Sequence, residues 1–522
     1  MTATLRHISF RRLGTSEAHQ RFLEDDRELG GFLGQRARTV GELMRRAPTR
    51  AGRLLPRELL VKALCAYAER HHAPAEVFAS AKALLDPDVH VVVTGQQPGL
   101  MGGPLLTFHK VATAIRLCRE INAASAAAGG GPRVVPLFWN HSDDHDLEEA
   151  NRLFLVNQQQ EVQRFRIDQT SHNEPLRSIA VGRDLERLLH ELDPLLPQTE
   201  FRDWVMGMAK PRSSNDKLGD QQARFLFETF GKHGLCMIEP RDLPAEAFEP
   251  LLKWWSKANE VRDQLRQASD DLGALGIDVT LDPTATMMFE LTGGVRQPLA
   301  DGESVGRPQD LSPGVLLRPL WQDACLPSIA FVVGPGELGY LCSVAPLYRT
   351  LGVPQPVFVP RASLTLVEPS MQRLLNRFSL DLPDLDRPAE ELAERLLAGD
   401  QGSDVEVRLE DLQAHLRNGL DGISQQLGVI DASMLGALDR ARTKSVEEIE
   451  RLLQKVRNAR QNREGTGIRQ LRRLCSTLRP RSRPQERVLG PLSFLTTVGP
   501  HLADALIDAA DPFRADHGVL EL

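Results

Sequence analysis

An apolar strand pattern that runs into a glycine-rich loop and then into a helix most restricts how this chain can fold. It occupies residues 91–110, VVVTGQQPGLMGGPLLTFHK. In α/β proteins this arrangement places ligand-binding groups at the C-terminal end of a parallel strand. A second apolar run, at 134–139, ends in the cluster HSDDHD at 141–146. We therefore expect the chemistry of this protein to lie between these two strand ends.

The surrounding sequence predicts two β-loop-α-β units, from which parallel sheets are built. The first unit comprises a strand at 89–94, a helix at 105–122 and a strand at 134–139. The second comprises a strand at 329–333, the loop GPGELGY, a helix to about 351 and a strand at 356–359. The predicted fold class is therefore α/β, with a doubly wound parallel sheet at its core.

The length of 522 residues is too great for one hydrophobic core. We predict four parts in chain order: a helical segment at 1–88, a catalytic core at 89–380, a coiled-coil domain at 381–485, and a segment at 486–522 that packs back on the core. Within the insertions of the core we expect a strand at 236–239, one long helix at 247–272 and an irregular Gly/Pro-rich stretch at 293–319.

The coiled-coil prediction depends on apolar residues that recur at three- and four-residue steps. They are Leu409, Leu412, Leu416, Leu420, Ile423, Leu427, Ile430, Met434 and Leu438, and then Val446, Ile449, Leu453 and Val456. Residues 440–487 hold fifteen Lys and Arg against five Asp and Glu, so the second arm is basic.

Composition restricts the class of protein. The net charge of −7 excludes a globally basic nucleic-acid binder, and the six cysteines contain no C-x-x-C pair. The N-terminus, MTATLRHISFRR, carries charges where a signal peptide has an apolar core. No apolar run reaches the length of a membrane span. We therefore expect a soluble, cytoplasmic protein.

The loop after the first strand combines four glycines with a hydroxyl and two amide side chains, just before a helix. Backbone N–H groups at a helix N-terminus favour anions, so the loop predicts a phosphate or carboxylate site. It is not a Walker A motif, because no G-K-[ST] follows. Lys110 would add positive charge if its side chain turned back toward the loop.

The cluster at 141–146 contains His141, Asp143, Asp144, His145 and Asp146. Clustered carboxylates and imidazoles suit metal binding or general acid–base chemistry. The spacing is not that of an H-E-x-x-H site. We favour hydrogen bonding to an amine or hydroxyl group of a substrate, with a structural polar loop as the alternative.

Two further stretches carry candidate ligand groups. Arg318, Gln322 and Asp323 precede a strand, and a guanidinium suits bidentate binding of a carboxylate. The loop 334–339 matches G-x-G-x-x-G literally, but Pro360 and Arg361 stand where a dinucleotide fold has an acidic side chain. A tight turn, an NADP site that uses Arg361 and another ligand site remain open, and we favour the last.

Five motifs together resemble one known family. They are TGQQPGL-x-x-GPLLTFHK, FWNHSDDHDLEEAN, LLRPLWQDACLPSIAFVVGPGELGY, VPRASLTLVE and, near the C-terminus, PQERVLGPLSFLTTVGP. In this order they resemble the bacillithiol-biosynthesis cysteine ligase family, BshC. Asp143 departs from the Glu usual in that family, and Leu106 replaces an aromatic residue.

The resemblance implies a Rossmann-like core with insertions and an α-helical coiled-coil domain that mediates homodimerisation. It also implies amide-bond formation between cysteine and the amine of glucosamine-malate. ATP would activate the cysteine carboxylate, giving ADP or AMP, with Mg²⁺ as the ion expected beside the nucleotide. No nucleic-acid or membrane partner is expected.

We assign candidate roles on this basis. The catalytic candidates are Asp144, His145 and Lys110. The substrate-binding candidates are Thr94, Gln96, Gln97, Asp143, Asp146, Arg318, Gln322, Asp323, Glu337, Tyr340 and Arg361. The nucleotide-binding candidates are Gly95, Gly99, Gly103, Gly334 and Gly336, and no metal ligand is assigned.

Two other functions compete with the ligase. One is a metal-dependent hydrolase centred on His141, Asp144 and His145. The other is a non-catalytic coiled-coil protein whose basic arm binds nucleic acid, although the arm lacks interleaved aromatic residues for base stacking. Polar groups at several strand ends favour an enzyme over this adaptor.

Overall fold

The structure is a computed structural model that describes residues 4–48, 55–157, 161–169, 171, 173–278, 282–396, 404–431, 433–461 and 466–522. It forms two compact units. One comprises Met1–Pro369 together with Arg483–Leu522, and the other comprises Ser370–Ser482.

The described residues contain thirteen strands. In chain order they are β1 (Thr4–Ser9), β2 (Val89–Gln96), β3 (Arg133–Asn140), β4 (Arg152–Val156), β5 (Val162–Arg166), β6 (Cys236–Ile238), β7 (Met288–Thr292), β8 (Val295–Pro298), β9 (Leu311–Pro313), β10 (Ser328–Val333), β11 (Val357–Pro360), β12 (Leu364–Val367) and β13 (Asp516–Glu521).

The described α-helices number twenty-three. In the first unit they are α1 (Glu17–Leu23), α2 (Arg27–Leu33), α3 (Val40–Arg46), α4 (Arg57–Arg70), α5 (Ala75–Ala83), α6 (Leu105–Ala127), α7 (Leu147–Ala150), α8 (Gly182–Leu192), α9 (Arg202–Ala209), α10 (Leu218–Phe230), α11 (Glu249–Trp255), α12 (Ala258–Ala274), α13 (Arg318–Cys325), α14 (Pro335–Val344) and α15 (Pro346–Thr350). The rest are α16 (Pro369–Phe378), α17 (Ala389–Leu396), α18 (Asp404–Ile430), α19 (Ser433–Gln461), α20 (Thr466–Leu478), α21 (Gln485–Val488), α22 (Leu492–Val498) and α23 (His501–Ala509).

The core of the first unit is a five-stranded sheet in the order β11-β10-β2-β3-β6. Every neighbouring pair in it is parallel. Strands β2 and β10 are almost continuously apolar and buried, as expected for a sheet covered on both faces. The predicted α/β class with a parallel doubly wound sheet is confirmed, and each predicted strand of the two β-loop-α-β units is present.

Helix α6 connects β2 to β3 and packs against both strands. Most of its side chains are buried, including Phe108, Val111 and Ile115. The polar loop before the helix is therefore fixed between a buried strand and a buried helix. This packing holds the loop at the C-terminal edge of the sheet.

Three smaller sheets surround the core. Strands β4 and β5 form an antiparallel hairpin, and β7 pairs antiparallel with both β8 and β9. The stretch 293–319, predicted to be irregular, therefore contains strands. Gly293 and Gly294, both with positive φ, form the turn between β7 and β8. Paired glycines at such a turn are a known hairpin signal.

The two ends of the chain meet in the third small sheet, in the order β1-β13-β12. Strand β13 pairs antiparallel with β1 and parallel with β12. The described residues between 4 and 88 are mostly helical, but Thr4–Ser9 is a strand. The local pattern missed it because its partner lies at the opposite end of the chain.

The long helix predicted at 247–272 is divided. A 3₁₀ turn at Ala245–Phe248 leads into α11, and α12 begins only at Ala258. At the break Trp254 and Trp255 are both buried, and the Trp255 indole donates to the carbonyl of Glu303 at 2.8 Å. The break allows two adjacent tryptophans to be buried against the surrounding chain.

The second unit is helical. Helices α18 and α19 pack along each other as an antiparallel hairpin, with Leu416, Leu420 and Leu427 partly buried along α18. The predicted coiled-coil domain is therefore confirmed. None of the helices in the described ranges combines the length and apolar character that a bilayer span requires.

Candidate active site at the switch point of the sheet

The strand order of the central sheet reverses between β2 and β10. From β2 the chain moves outward to β3 and then β6, whereas after β10 it moves outward to β11 on the other side. Ligands of open α/β sheets bind in the crevice beyond the strand ends at such a switch point. The loop after β2 and the N-terminus of α14, which follows β10, therefore form the two sides of the candidate site.

Lys110 of α6 connects these two sides. Its Nζ donates to the carbonyl of Gly95 at 2.7 Å and to Oε1 of Gln96 at 2.9 Å. The same Nζ lies 2.5 Å from Oε2 of Glu337. Lys110 thus turns back toward the loop, as the sequence suggested.

The Lys110 ammonium is fully engaged by these partners. Burial lowers the pKa of Lys110, and the charge of Glu337 opposes that shift. An ammonium has three N–H donors, and all three have acceptors here. Lys110 can therefore reach a ligand only if Gln96 or Glu337 moves away or the ligand oxygen replaces one of them.

The glycine-rich loop is closely packed. A Cβ on Gly95 would lie 2.6 Å from the carbonyl of Trp139, and a Cβ on Gly99 would lie 2.8 Å from Cα of Gly103. Gly103 has a φ of +73°, where side chains are disfavoured. Glycine is thus required by the packing at these positions.

Three backbone donors of the loop already have acceptors. The N–H of Gly99 donates to Oε1 of Gln222 at 3.0 Å, and that of Met101 donates to Oε1 of Gln221 at 2.9 Å. The N–H of Gly103 donates to the carbonyl of Leu100. The loop is therefore held by two glutamines of α10 and does not present these N–H groups as an open anion cradle.

Asp144 and Arg318 form an ion pair between the loop after β3 and the start of α13. The Arg318 guanidinium donates to Oδ2 of Asp144 at 3.0 Å, and both side chains are largely buried. Burial raises the pKa of Asp144, but Arg318, Arg296 and a hydrogen bond from Gln97 together hold it below the usual value. Asp144 is therefore a stable carboxylate.

His145 is held by an arginine of the β7–β8 hairpin. One guanidinium nitrogen of Arg296 lies 3.1 Å from Nδ1 of His145. Burial lowers the pKa of His145, and Arg296 lowers it further, against the opposing charges of Asp144 and Asp146. About a third of the side chain remains exposed, so the ring reaches the cleft in its neutral form.

His141 lies against the same loop. A Cβ on Gly95 would stand 2.7 Å from Nε2 of His141. Its Nδ1 is buried, and no residue that the structure describes forms a hydrogen bond with that atom. Burial, Arg318 and Lys110 lower the pKa of His141, and Asp144 opposes them.

The G-x-G-x-x-G stretch forms the start of α14. The Glu337 carboxylate accepts from the N–H of Gly334 at 2.7 Å and so caps the helix. Gly336 is exposed. Burial raises the pKa of Tyr340, Glu337 raises it further, and Arg318 opposes them, which places Tyr340 beside both charged residues.

Arg361 has a structural partner. Its guanidinium binds Glu486 in bidentate fashion, at 2.8 and 2.6 Å. Its Nε is buried without a hydrogen-bond partner among the described residues and lies 3.6 Å from the Cβ position of Gly334. The pairing with Glu486 argues against a 2′-phosphate on this guanidinium.

Five predicted residues lie outside this group. Thr94 is buried and donates to the carbonyl of Val332, which ties β2 to β10. Asp143 is buried against Arg241 at 2.8 Å, and Asp146 caps α7 at the surface. In the core, the amide of Gln322 donates to Asp323, which also accepts from the Tyr348 hydroxyl at 2.6 Å.

Two residues of the site region were missed from the sequence. Arg296 lies on β8, and the paired glycines before it would have predicted its hairpin. Glu239 follows β6 directly and accepts from Oγ of Ser142 at 2.6 Å, beneath the His/Asp cluster. Applying the strand-end rule to β6, as to β2 and β3, would have found it.

A metal centre finds no support in this geometry. Within the described ranges, no three His, Cys, Asp or Glu side chains converge as a metal site requires. Asp144 and His145, two of the proposed hydrolase ligands, instead contact the guanidinium groups of Arg318 and Arg296. A cation would have to displace these arginines.

Comparison with known proteins agrees with the motifs. A family model described as the N-terminal Rossmann-like domain of bacillithiol biosynthesis BshC matches residues 4–362. A second, described as the C-terminal coiled-coil domain of the same family, matches residues 364–522.

Several relatives carry the name "Putative cysteine ligase BshC". The relative from Koribacter versatilis is 29% identical over 87% of this chain and 88% of its own length. That from Salinibacter ruber is 29% identical over 91% and 90%, and that from Bacillus cytotoxicus is 25% identical over 89% and 91%.

Among solved structures, one named as an arginyl tRNA synthetase from Campylobacter jejuni aligns with 9% identity over 87% of this chain and 98% of its own. Its TM-score of 0.23 is too low to support an argument. The family models instead confirm the resemblance predicted from the motifs. Since they cover nearly the whole chain between them, the chain belongs to the BshC family.

Proposed function

We propose that this protein is the cysteine ligase of bacillithiol biosynthesis, joining the carboxyl group of cysteine to the amine of glucosamine-malate. The relatives named above support the proposal. The observation that carries it is the pairing of Lys110 with Glu337 and of Arg318 with Asp144 at the switch point of the sheet. Such paired charges suit two substrates that bear carboxylate and amine groups.

ATP would serve as the third substrate, because an amine does not displace oxygen from an unactivated carboxylate. The residues beside α14 fit its phosphates best. The N-terminus of α14 would favour an anion if a phosphate took the place of the Glu337 carboxylate, which accepts from the N–H of Gly334. This proposal places the phosphates at Gly334 and Gly336, because a phosphate at the loop 95–103 would have to displace the acceptors of Gly99, Met101 and Gly103.

The remaining charged residues would bind the other substrates. Arg318 has further N–H donors beyond the one given to Asp144, so it would hold a substrate carboxylate, of which malate supplies two. Asp144 would orient the glucosamine amine. Lys110 would neutralise charge that develops on the activated carboxyl group when a ligand oxygen replaces Gln96.

Two further expectations belong to this proposal. The protein would act in the cytoplasm. It would act as a homodimer formed through the helical hairpin of the second unit.

The direct test incubates the purified protein with cysteine, glucosamine-malate, ATP and Mg²⁺, and follows bacillithiol by mass spectrometry. Nucleotide analysis of the same reaction distinguishes ADP from AMP. We expect Arg318→Met to lower kcat/KM about 100-fold or more, since truncation of a buried charged contact costs several kcal/mol. Arg307→Met, at an exposed arginine paired with Asp310, is the control.

A folded protein that forms no product with Mg²⁺, Mn²⁺ or Zn²⁺ would contradict the ligase proposal. Equal activity of the Arg318 and Arg307 variants would be compatible with the ligase proposal but would show that Arg318 does not bind a substrate.

A further inference from the structure

The contact between Arg296 and His145 fixes which ring nitrogen carries the proton. A guanidinium has donors only, so Nδ1 of His145 accepts from Arg296 across 3.1 Å. Burial lowers the pKa of Arg296 to about 10, which keeps it protonated at neutral pH. The proton of the neutral His145 ring therefore lies on Nε2.

Arg296 is itself rigidly held. Its Nε donates to Oγ of Ser312 at 3.1 Å, and another nitrogen donates to the carbonyl of Pro313 at 2.8 Å. The guanidinium also stacks on the ring of Phe289, 3.9 Å from its centroid. These contacts fix the orientation of His145, so its Nε2–H is a hydrogen-bond donor and its only lone pair is occupied.

Asp144 is a poor proton acceptor for a related reason. Its Oδ2 accepts from Arg318, and its Oδ1 accepts from the backbone N–H of His145 at 2.8 Å. A carboxylate stabilised by this many donors binds a proton weakly. Both carboxylate oxygens of Asp144 and the lone-pair nitrogen of His145 therefore already accept a hydrogen bond.

His141 differs from both. No described residue forms a hydrogen bond with its buried Nδ1, and its Nε2 lies against the loop at Gly95. The charged groups that face it are Arg318, Lys110 and Asp144. With two cations against one anion the ring stays neutral, and a neutral imidazole always keeps one lone pair.

We propose that the two histidines divide the work of amide formation: His141 accepts the proton of the attacking amine, and His145 donates a hydrogen bond from Nε2 to an anionic oxygen at the reacting carboxyl group. This inference rests on the proposed ligase function. The amine nitrogen forms the bond to the activated carbonyl carbon, and the bond from that carbon to the phosphate oxygen breaks. The leaving phosphate or AMP takes the bonding electrons, and the amine proton passes to His141. Arg296 is a positioning residue, because it acts only through His145.

Glutamine substitutions separate the two roles. A glutamine amide can place an N–H near the position of Nε2 but cannot accept a proton. We therefore expect His145→Gln to keep kcat within about 10-fold, while His145→Ala loses about 100-fold or more. We expect His141→Gln, and His141→Asn as its second variant, to lose about 100- to 10,000-fold in kcat with little change in KM.

The pH profile gives a second readout. In the wild type, kcat should fall only at a pH well below the usual histidine value, because protonation removes the lone pair of His141 and burial, Arg318 and Lys110 lower its pKa. His145→Gln should keep that acid limb, and the residual activity of His141→Gln should lack it. Equal losses in His145→Gln and His145→Ala, or a fully active His141→Gln, would overturn the division of labour.

Nuclear magnetic resonance of ¹⁵N-histidine-labelled protein tests the inference without any turnover. We expect His145 to show the Nε2–H tautomer at pH 7, and Arg296→Met to abolish that preference. His141 should be neutral at the same pH. An Nδ1–H tautomer for His145, or a protonated His141, would overturn the inference even if bacillithiol forms. Failure to form bacillithiol with both ring states as expected would instead overturn the ligase proposal.

Discussion

Glu239 is a buried carboxyl group whose charge is set by its surroundings. It accepts from the hydroxyls of Ser142 at 2.6 Å and Tyr67 at 3.3 Å, and it is only 6% exposed. Burial raises the pKa of Glu239 to about 7, with Asp242 and Asp220 adding to the shift and the hydrogen bond from Ser142 opposing it. The folded protein therefore holds this proton over a pH range in which the unfolded chain has lost it.

That difference predicts a pH-dependent stability. The contribution of Glu239 to the free energy of unfolding is fully present below its unfolded pKa of about 4.5 and is lost as pH rises through about 7. The whole pKa shift of Glu239 corresponds to about 3 kcal/mol in the free energy of unfolding. The free energy of unfolding of the wild type should therefore decline as the pH rises through this range. We expect Glu239→Gln to lack this decline, so that the variant gains stability relative to wild type between pH 5 and 8.

Urea unfolding at pH 5, 6, 7 and 8 measures the effect. Asp323, whose pKa burial also raises to about 7, is unchanged in both proteins and cancels in the comparison. Glu58→Gln, at an exposed position of α4, is the control and should follow the wild-type curve. Parallel curves for wild type and Glu239→Gln would show that Glu239 is ionised throughout.

For single residues, the sequence predicted which side chains belong to the site region better than it predicted which residues they pair with. It placed Asp144 just after a strand because hydropathy marks where strands stop, Arg318 before a strand, and Lys110 on the helix after the glycine-rich loop. It could not show that Arg361 binds Glu486 or that His145 meets Arg296, since these pairs are far apart in the chain. Only the packed structure determines which charges are already neutralised.

Among the structural elements, the loop after β2 depends on close backbone contact. A Cβ on Gly95 would lie 2.6 Å from the Trp139 carbonyl and 2.7 Å from Nε2 of His141. We expect Gly95→Ala to destabilise the protein by about 1–3 kcal/mol, because backbone must shift to relieve the overlap. The displaced His141 should also lower activity.

Gly207 provides the matched control, because it lies within α9 and nothing lies within 4 Å of its Cβ position. Gly207→Ala should stabilise the protein by up to about 1 kcal/mol through helix propensity. Urea midpoints of both variants test the contrast. Similar stability of Gly95→Ala and wild type would mean that the loop has room for a methyl group.

The C-terminal segment is tied to the core through Glu486 of α21. Its carboxylate accepts from Arg361 twice, from His109 at 2.8 Å and from Ser363 at 2.9 Å. Burial raises the pKa of Glu486, but Arg361 and His109 hold it well below the usual value. We expect Glu486→Gln to cost about 3–5 kcal/mol, since it leaves the Arg361 charge buried and uncompensated.

A double variant tests whether the stability lost in Glu486→Gln comes from the uncompensated charge of Arg361 or from altered packing. Arg361→Met with Glu486→Gln should lose less stability than the sum of the two single changes, because no buried charge remains. Asp310→Asn, at the exposed pair with Arg307, should change stability little. If urea unfolding shows that the double variant loses as much free energy of unfolding as the two single variants together, the proposed coupling between Arg361 and Glu486 is contradicted.

The elements of the core were predictable because each carries its own local pattern. Strands β2, β3, β10 and β11 lie within a few residues of the predicted bounds. The sheet of β1, β13 and β12 was not predictable, since its pairing joins the two ends of the chain. The hairpin of β7 and β8 was predictable from Gly293-Gly294 and was overlooked.

For the molecule as a whole, the basic arm is less basic than its composition suggests. Arginines of the arm pair with acidic residues of the same unit: Arg442 with Asp421, Arg457 with Glu410, Arg472 with Glu390, and Arg479 with Asp386. These pairs reduce the charge available for a phosphate backbone. They favour the expectation that the unit does not serve nucleic-acid binding.

The hairpin of the second unit also exposes an apolar stripe that its own two helices leave uncovered. Val405, Leu412, Ile423 and Ile430 of α18 are 57%, 52%, 41% and 71% exposed. Their spacing of seven and eleven residues places them along one helix face, as in a coiled-coil seam. We expect a second copy of the hairpin to cover this stripe.

We therefore expect the protein to be a homodimer that Leu412→Glu with Ile423→Glu disrupts. The two glutamates remove apolar burial worth at least about 3 kcal/mol per dimer, so the dissociation constant should rise about 100-fold or more. Sedimentation equilibrium measures it directly. Asn418→Asp with Gln425→Glu adds the same charge at exposed polar positions on the opposite face of α18 and should leave the dimer intact. A monomeric wild type at micromolar concentration, or a Leu412/Ile423 variant that stays dimeric with unchanged helicity, would show that this stripe is not the dimer interface.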